Sequence, residues 1–83
     1  MILYFSTEWC GPCKMFKPVV QEVSNYLGRA VNYIDAQQQS DLAQKYGVTS
    51  VPTVIIESQG NVVFRHTGVM TRSKLVEVFS QFT

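Results

Sequence analysis

The stretch Glu8-Trp9-Cys10-Gly11-Pro12-Cys13-Lys14-Met15-Phe16, EWCGPCKMF, carries the only two cysteines of the chain, three positions apart. On its N-terminal side, Met1-Ile2-Leu3-Tyr4-Phe5 is a continuous apolar run, the pattern of a central strand covered on both faces. On its C-terminal side, Phe16, Val19, Val20, Val23 and Leu27 form an apolar stripe of helical period, and Gly28 follows as a left-handed C-cap. The cysteines therefore fall where a strand hands over to a helix. Pro18 interrupts the stripe and is expected to kink the helix, because it removes one amide donor and crowds the carbonyl of Lys14.

The rest of the chain continues the alternation. Val31 to Asp35 has the length and composition of a second strand, and Ser40 is placed to cap a short helix that ends near Lys45 and Gly47. Val51 to Glu57 reads as a β-branched strand with Pro52 at its start, where a missing amide is tolerated. Ser58-Gln59-Gly60-Asn61 predicts a hairpin turn into Val62 to His66, and Leu75, Phe79 and Phe82 predict a closing helix from Thr71. The order is βαβαββα. A long helical crossover makes its two strands parallel and the hairpin makes the last two antiparallel, so the fold class is α/β, a mixed four-stranded sheet with flanking helices.

Composition sets the bounds. A chain of 83 residues with 46% apolar residues and a net charge of +1 fits one domain over residues 1–83. It offers no basic stripe for nucleic acid and no apolar run of membrane-spanning length, so neither partner is expected. The N-terminus lacks a basic leader and runs directly into Ser6-Thr7-Glu8, which reads as a cytoplasmic protein. In that compartment a close cysteine pair is expected to be catalytic or metal-binding in preference to a permanent staple.

Three readings of Cys10 and Cys13 compete. A structural zinc ion takes four cysteine or histidine ligands, and His66 is the one histidine, distant in the chain, so no metal is expected. A purely structural disulfide would close too short a loop to remove much chain entropy. Redox chemistry fits better. Cys10 falls at the expected helix N-terminus, where unpaired amides and the dipole favour a thiolate, and Pro12 suits the first helical turn. Cys13 lies nearly one turn on and faces partly inward, so an exposed, acidic thiol would attack and a sheltered one would resolve.

With Trp9-Cys10-Gly11-Pro12-Cys13-Lys14, Pro18 within the helix, Val51-Pro52-Thr53, Gly60 and Gly68, the chain resembles the thioredoxin family over most of its length. The resemblance implies a thioredoxin-like fold and a protein dithiol–disulfide oxidoreductase. Cys10 would be the nucleophile and Cys13 the resolving thiol, the pair forming a redox-active disulfide with no cofactor bound in the chain. It further implies a cis peptide bond before Pro52, a substrate surface of Trp9, Gly11, Pro12, Val51, Pro52 and Gly68, and disulfide-containing protein substrates. An NADPH-dependent, flavin-containing thioredoxin reductase would be the electron donor to a monomer.

The sequence also departs from the family. It starts directly at the strand before the motif, where relatives have a further strand and helix, so it resembles a minimal thioredoxin with the element order of a glutaredoxin. That leaves Val31 to Asp35 as an exposed edge with a risk of self-association. Tyr4 stands where the family has a buried aspartate, and Val31 where it has the partner lysine. Tyr4 is expected to act by packing. A glutathione-recycled enzyme is the nearer alternative, disfavoured by Gly11-Pro12 and by the lack of a second glycine beside Gly68. A redox-independent binding subunit is the more distant one. Trp9 is read as shaping a substrate surface, His66 as an exposed surface histidine, Lys14 and Lys17 as equally a steering pair or a solvated face, and Tyr33 and Tyr46 as buried packing residues.

Overall fold

The computed structural model describes all 83 residues, in the order β1 (Ile2–Ser6), α1 (Gly11–Leu27), β2 (Val31–Asp35), α2 (Ser40–Lys45), β3 (Thr53–Ser58), β4 (Asn61–Thr67) and α3 (Arg72–Phe82). The strands form one sheet in the order β2-β1-β3-β4. β1 runs parallel to β2 and antiparallel to β3, and β3 and β4 form an antiparallel hairpin. The expected mixed four-stranded α/β sheet is the one observed.

The apolar run at the start of the chain becomes a two-faced strand because successive side chains point to opposite sides. Ile2 and Tyr4 join Val54 and Ile56 of β3 beneath α1 and α3, packing with Phe16, Val20, Val23, Leu75, Val78 and Phe79. Leu3 and Phe5 face the other way and join Ile55, Ile34 and Ala43 beneath α2. The molecule thus has three layers, with the larger core on the α1/α3 side. Tyr4, Phe5, Val54, Ile55 and Ile56 are completely buried. No helix is long and apolar enough to cross a membrane.

Local chemistry accounts for the element ends. Gly28 ends α1 in the left-handed region at φ 65°, its amide bonded to the carbonyl of Asn25. Thr71 caps α3, its hydroxyl accepting from the amide of Lys74 at 3.2 Å. Gln59 and Gly60, at φ 53° and 81°, make the two-residue loop of the hairpin expected over Ser58-Gln59-Gly60-Asn61.

Two boundaries differ from expectation. β3 begins at Thr53 and not at Val51, because Pro52 has no amide to donate to the ladder. Ser40 does not cap α2. The cap position is Gln39, without a side-chain bond, and the preceding turn is held by Asp35, whose Oδ1 accepts from the amides of Gln37 and Gln38 at 2.8 and 3.0 Å. An aspartate that ends a strand can close the following turn on itself, which removes the need for a serine cap.

Candidate active site

β1 delivers the chain to a short loop, and Thr7 accepts the amide of Cys10 as the loop turns into α1. Cys10 is the N-cap of that helix, with extended backbone at φ −90° and ψ 107°. Its sulfur accepts the amide of Cys13 at 3.1 Å, one of the donors that a helix N-terminus leaves unpaired. Gly11 and Pro12 occupy the first positions of the helix, where proline forfeits no hydrogen bond. Pro18 lies within α1, as expected.

Cys10 and Cys13 are joined in a disulfide, their Cα atoms 5.2 Å apart. The two sulfurs differ in shelter. Cys10 is half-buried, less open than its terminal position suggested, whereas Cys13 is only 2% exposed. The peptide bond between Val51 and Pro52 is cis, and the Val51 carbonyl oxygen lies 3.8 Å from the sulfur of Cys10. Pro52 in turn accepts the amide of Gly68 at 2.8 Å, which ties the end of β4 to the same loop. Gly68 has φ 103°, a conformation closed to most side chains.

Trp9 projects into solvent at 79% exposure, so packing does not account for it. Pro12 and Gly11 border an apolar groove of about 560 Å3 completed by Met15, Phe16, Val19, Val69 and Met70. The sequence reading had no reason to include Met15, Val69 or Met70, since no periodicity links the start of α1 to the segment before α3.

Tyr4, directly below the disulfide, donates its hydroxyl to the carbonyl oxygen of Cys13 at 3.1 Å, inside the core. Burial, with a smaller contribution from the neighbouring phenol of Tyr33, pushes its pKa up to about 12. Tyr33 is paired across the parallel ladder from Tyr4, their rings meeting edge to face at 5.8 Å. It is not the buried residue the sequence suggested. On an edge strand its outer side has no neighbour, and the residue is 39% exposed. Tyr46 is half-buried and donates to Glu57 at 2.9 Å. His66 is half-buried on the edge strand β4, with Nε2 3.3 Å from the carbonyl oxygen of Val69, so it is less exposed than expected and belongs to no part of the disulfide site.

The family model described as Thioredoxin covers residues 1–81. The chain belongs to the thioredoxin family. Members of this family are thiol–disulfide oxidoreductases, and Cys10 and Cys13 form the redox pair.

Among thioredoxins, that of Bacillus subtilis is 35% identical over 79 residues, spanning 93% of this chain and 76% of its own length. That of Chlamydia caviae is 38% identical over 85 residues, spanning 98% and 80%. A Streptomyces coelicolor relative is 34% identical over 82 residues, of whose length this chain spans 61%. Of solved structures, a mutant thioredoxin from Halobacterium salinarum superposes with a TM-score of 0.92 at 33% identity, covering 99% of this chain and 73% of that one. The thioredoxin of Fasciola hepatica superposes at 0.89 with 29% identity, covering 99% and 79%.

Proposed function

We propose that the chain reduces disulfides of protein substrates, acting as a single thioredoxin-like domain over residues 1–83 and as a monomer. The observation that carries this reading is the unequal shelter of two bonded sulfurs at one helix N-terminus, Cys10 half-buried and Cys13 at 2% exposure. Once reduced, the Cys10 thiolate attacks one sulfur of a substrate disulfide and expels the other as a thiolate. The Cys13 thiolate then attacks the Cys10 sulfur, the bond from Cys10 to substrate breaks, and the second substrate thiolate leaves. The substrate gains two electrons and the chain returns to its disulfide.

An extended substrate segment would lie beside Val51 and Pro52, pairing with the Val51 backbone as an added strand. Trp9, Gly11, Pro12 and Gly68 would border it, a reading supported by the exposure of Trp9 and by the bond from Gly68 to Pro52. The dithiol would be restored by an NADPH-dependent thioredoxin reductase in the cytoplasm, where thiols are kept reduced.

Insulin reduction tests this reading with two recycling systems. Turnover with NADPH and thioredoxin reductase, but not with glutathione and its reductase, is the expected result. Turnover with glutathione alone would assign a glutaredoxin-like electron donor instead. Failure with both, in a protein whose two thiols are free after chemical reduction, would overturn the reductase activity and leave a binding role.

A further inference from the structure

Cys13 is only 2% exposed, yet it borders a cavity. With Ser6, Thr7, Glu8, Lys14, Lys17, Tyr33 and Asp35 it lines a polar cavity of about 300 Å3, which opens between α1 and the edge strand β2. A single water needs roughly 10–15 Å3 of such space, so the cavity accommodates several beside Cys13. Such a cavity offers the Cys13 proton an exit that does not pass the substrate.

The groups around that exit are unequal. From β1 comes Tyr4, whose hydroxyl is committed to the Cys13 carbonyl and whose pKa of about 12 keeps it protonated. From β2, Tyr33 is likewise held neutral, its pKa raised by burial. Asp35, also from β2, has its Oδ1 engaged by the amides of Gln37 and Gln38. Glu8, in the loop after β1, is exposed to solvent. From α1, Lys14 is adjacent to Cys13 in sequence and does not share its helix face. Lys17 does: it lies four residues on, one turn along the same face. Its ammonium rests 5.3 Å from the centroid of the Tyr33 ring, a cation–π contact that holds the charge at the cavity wall. No titratable side chain of α2, β3, β4 or α3 lines the cavity.

We propose that Lys17 is a positioning residue for the resolving step, its ammonium stabilising the Cys13 thiolate as the thiol proton leaves through this cavity to water. The inference rests on the dithiol mechanism above. The step balances: Cys13 loses a proton to cavity water, its thiolate forms the bond to the Cys10 sulfur, and the substrate thiolate departs with the electron pair of the broken bond. A cation one turn away lowers the pKa of the attacking thiol, and being partly exposed it does so in a salt-dependent way.

The two steps separate in stopped flow with an aromatic disulfide reagent that releases coloured thionitrobenzoate. Attack by Cys10 releases the first equivalent, and attack by Cys13 on the resulting mixed disulfide releases the second. Lys17→Met should slow the second release about three- to tenfold near pH 7 and move its pH midpoint up by about half a unit or more, with the first release within about twofold of wild type. Lys17→Arg should restore the second release, and about 1 M salt should bring wild type and Lys17→Met together, since the screening length falls to roughly 3 Å. A second release in Lys17→Met equal to wild type, an equal slowing of both releases, or no rescue by arginine would overturn the role of Lys17 and leave the dithiol mechanism standing. Absence of any second release in wild type would overturn the mechanism itself and the role of Lys17 with it. Lys17 is exposed, so the variants are expected to fold, and equal thermal midpoints verify it.

Discussion

The hydroxyl of Tyr4 donates to the carbonyl oxygen of Cys13, so the phenol holds the backbone of the active-site helix and not its sulfur. The bond is 3.1 Å long and buried, and its acceptor lies in the first turn of α1, so it ties that turn to β1. With its pKa pushed up to about 12 by burial, the phenol stays neutral near pH 7 and acts there as a mechanical support.

Tyr4→Phe should accordingly keep disulfide-reducing activity within about threefold from pH 6 to 9, a barrier change under about 1 kcal/mol. Single-turnover reduction measures it. A hundredfold loss in a folded variant would give the hydroxyl a part in the chemistry.

The same substitution has a pH-dependent effect on stability. The folded pKa of Tyr4 is about 12 against an ordinary 10, so the unfolded chain loses this proton first as the solution becomes alkaline. The stability tied to the neutral phenol is fully present below about pH 10 and is lost progressively towards pH 12, on the order of 2–3 kcal/mol in all. At neutral pH wild type should exceed Tyr4→Phe by about 0.5–1.5 kcal/mol through the hydrogen bond. Denaturant unfolding of both proteins between pH 7 and 12 should show the order reversing. A difference that stays constant with pH would contradict it.

Cys10 should be alkylated before Cys13. The helix N-terminus stabilises its thiolate, and Cys13 is nearly inaccessible at 2% exposure. Brief treatment of the reduced protein near neutral pH, followed by peptide mapping, checks the order, and preferential labelling of Cys13 would reverse the assignment of attacking and resolving thiols.

Trp9→Ala should separate substrate binding from folding. At 79% exposure the indole contributes little to the core, so stability should change by less than about 0.5 kcal/mol, while turnover of a protein disulfide falls by severalfold or more. A small aromatic disulfide reagent, which needs no extended surface, should react nearly as with wild type. Loss of stability without loss of protein turnover would return Trp9 to a packing role.

The hairpin loop offers a stabilising change. Gln59 holds φ 53° without the side chain best suited to it, and the loop has Gly60 in second place. Gln59→Asn creates the Asn-Gly pair favoured in such two-residue loops and should raise stability by a few tenths to about 1 kcal/mol, read as a higher denaturant midpoint with unchanged slope.

The strands and helices were legible wherever pattern and function coincide. The run from Ile2 to Phe5 could be assigned because its alternating sides both meet apolar partners, and the stripe from Phe16 to Leu27 because each member points the same way. The cysteine pair announced its place by lying between these two patterns. What escaped was set by contacts between distant segments. The edge position of Val31 to Asp35 was expected, but nothing near Tyr33 in sequence states that it pairs opposite Tyr4 or that Lys17 lies over its ring. Likewise, the turn after β2 is closed by the side chain of Asp35, a possibility that a search for helix caps, looking only at Ser40, passes over.

The two sides of the sheet are closed to different depths, ten core residues on the α1/α3 side against five on the α2 side. α2 is itself six residues long and lacks a side-chain cap. Its amide protons should consequently exchange with solvent deuterium through low-energy openings that leave β1, β3 and α1 intact, while the amides of β1 and β3 exchange only on global unfolding. The disulfide sits on the slowly exchanging body, and the fast layer lies on the other side of the sheet from α1. Redox cycling at Cys10 and Cys13 can then proceed on a rigid support while the α2 layer breathes.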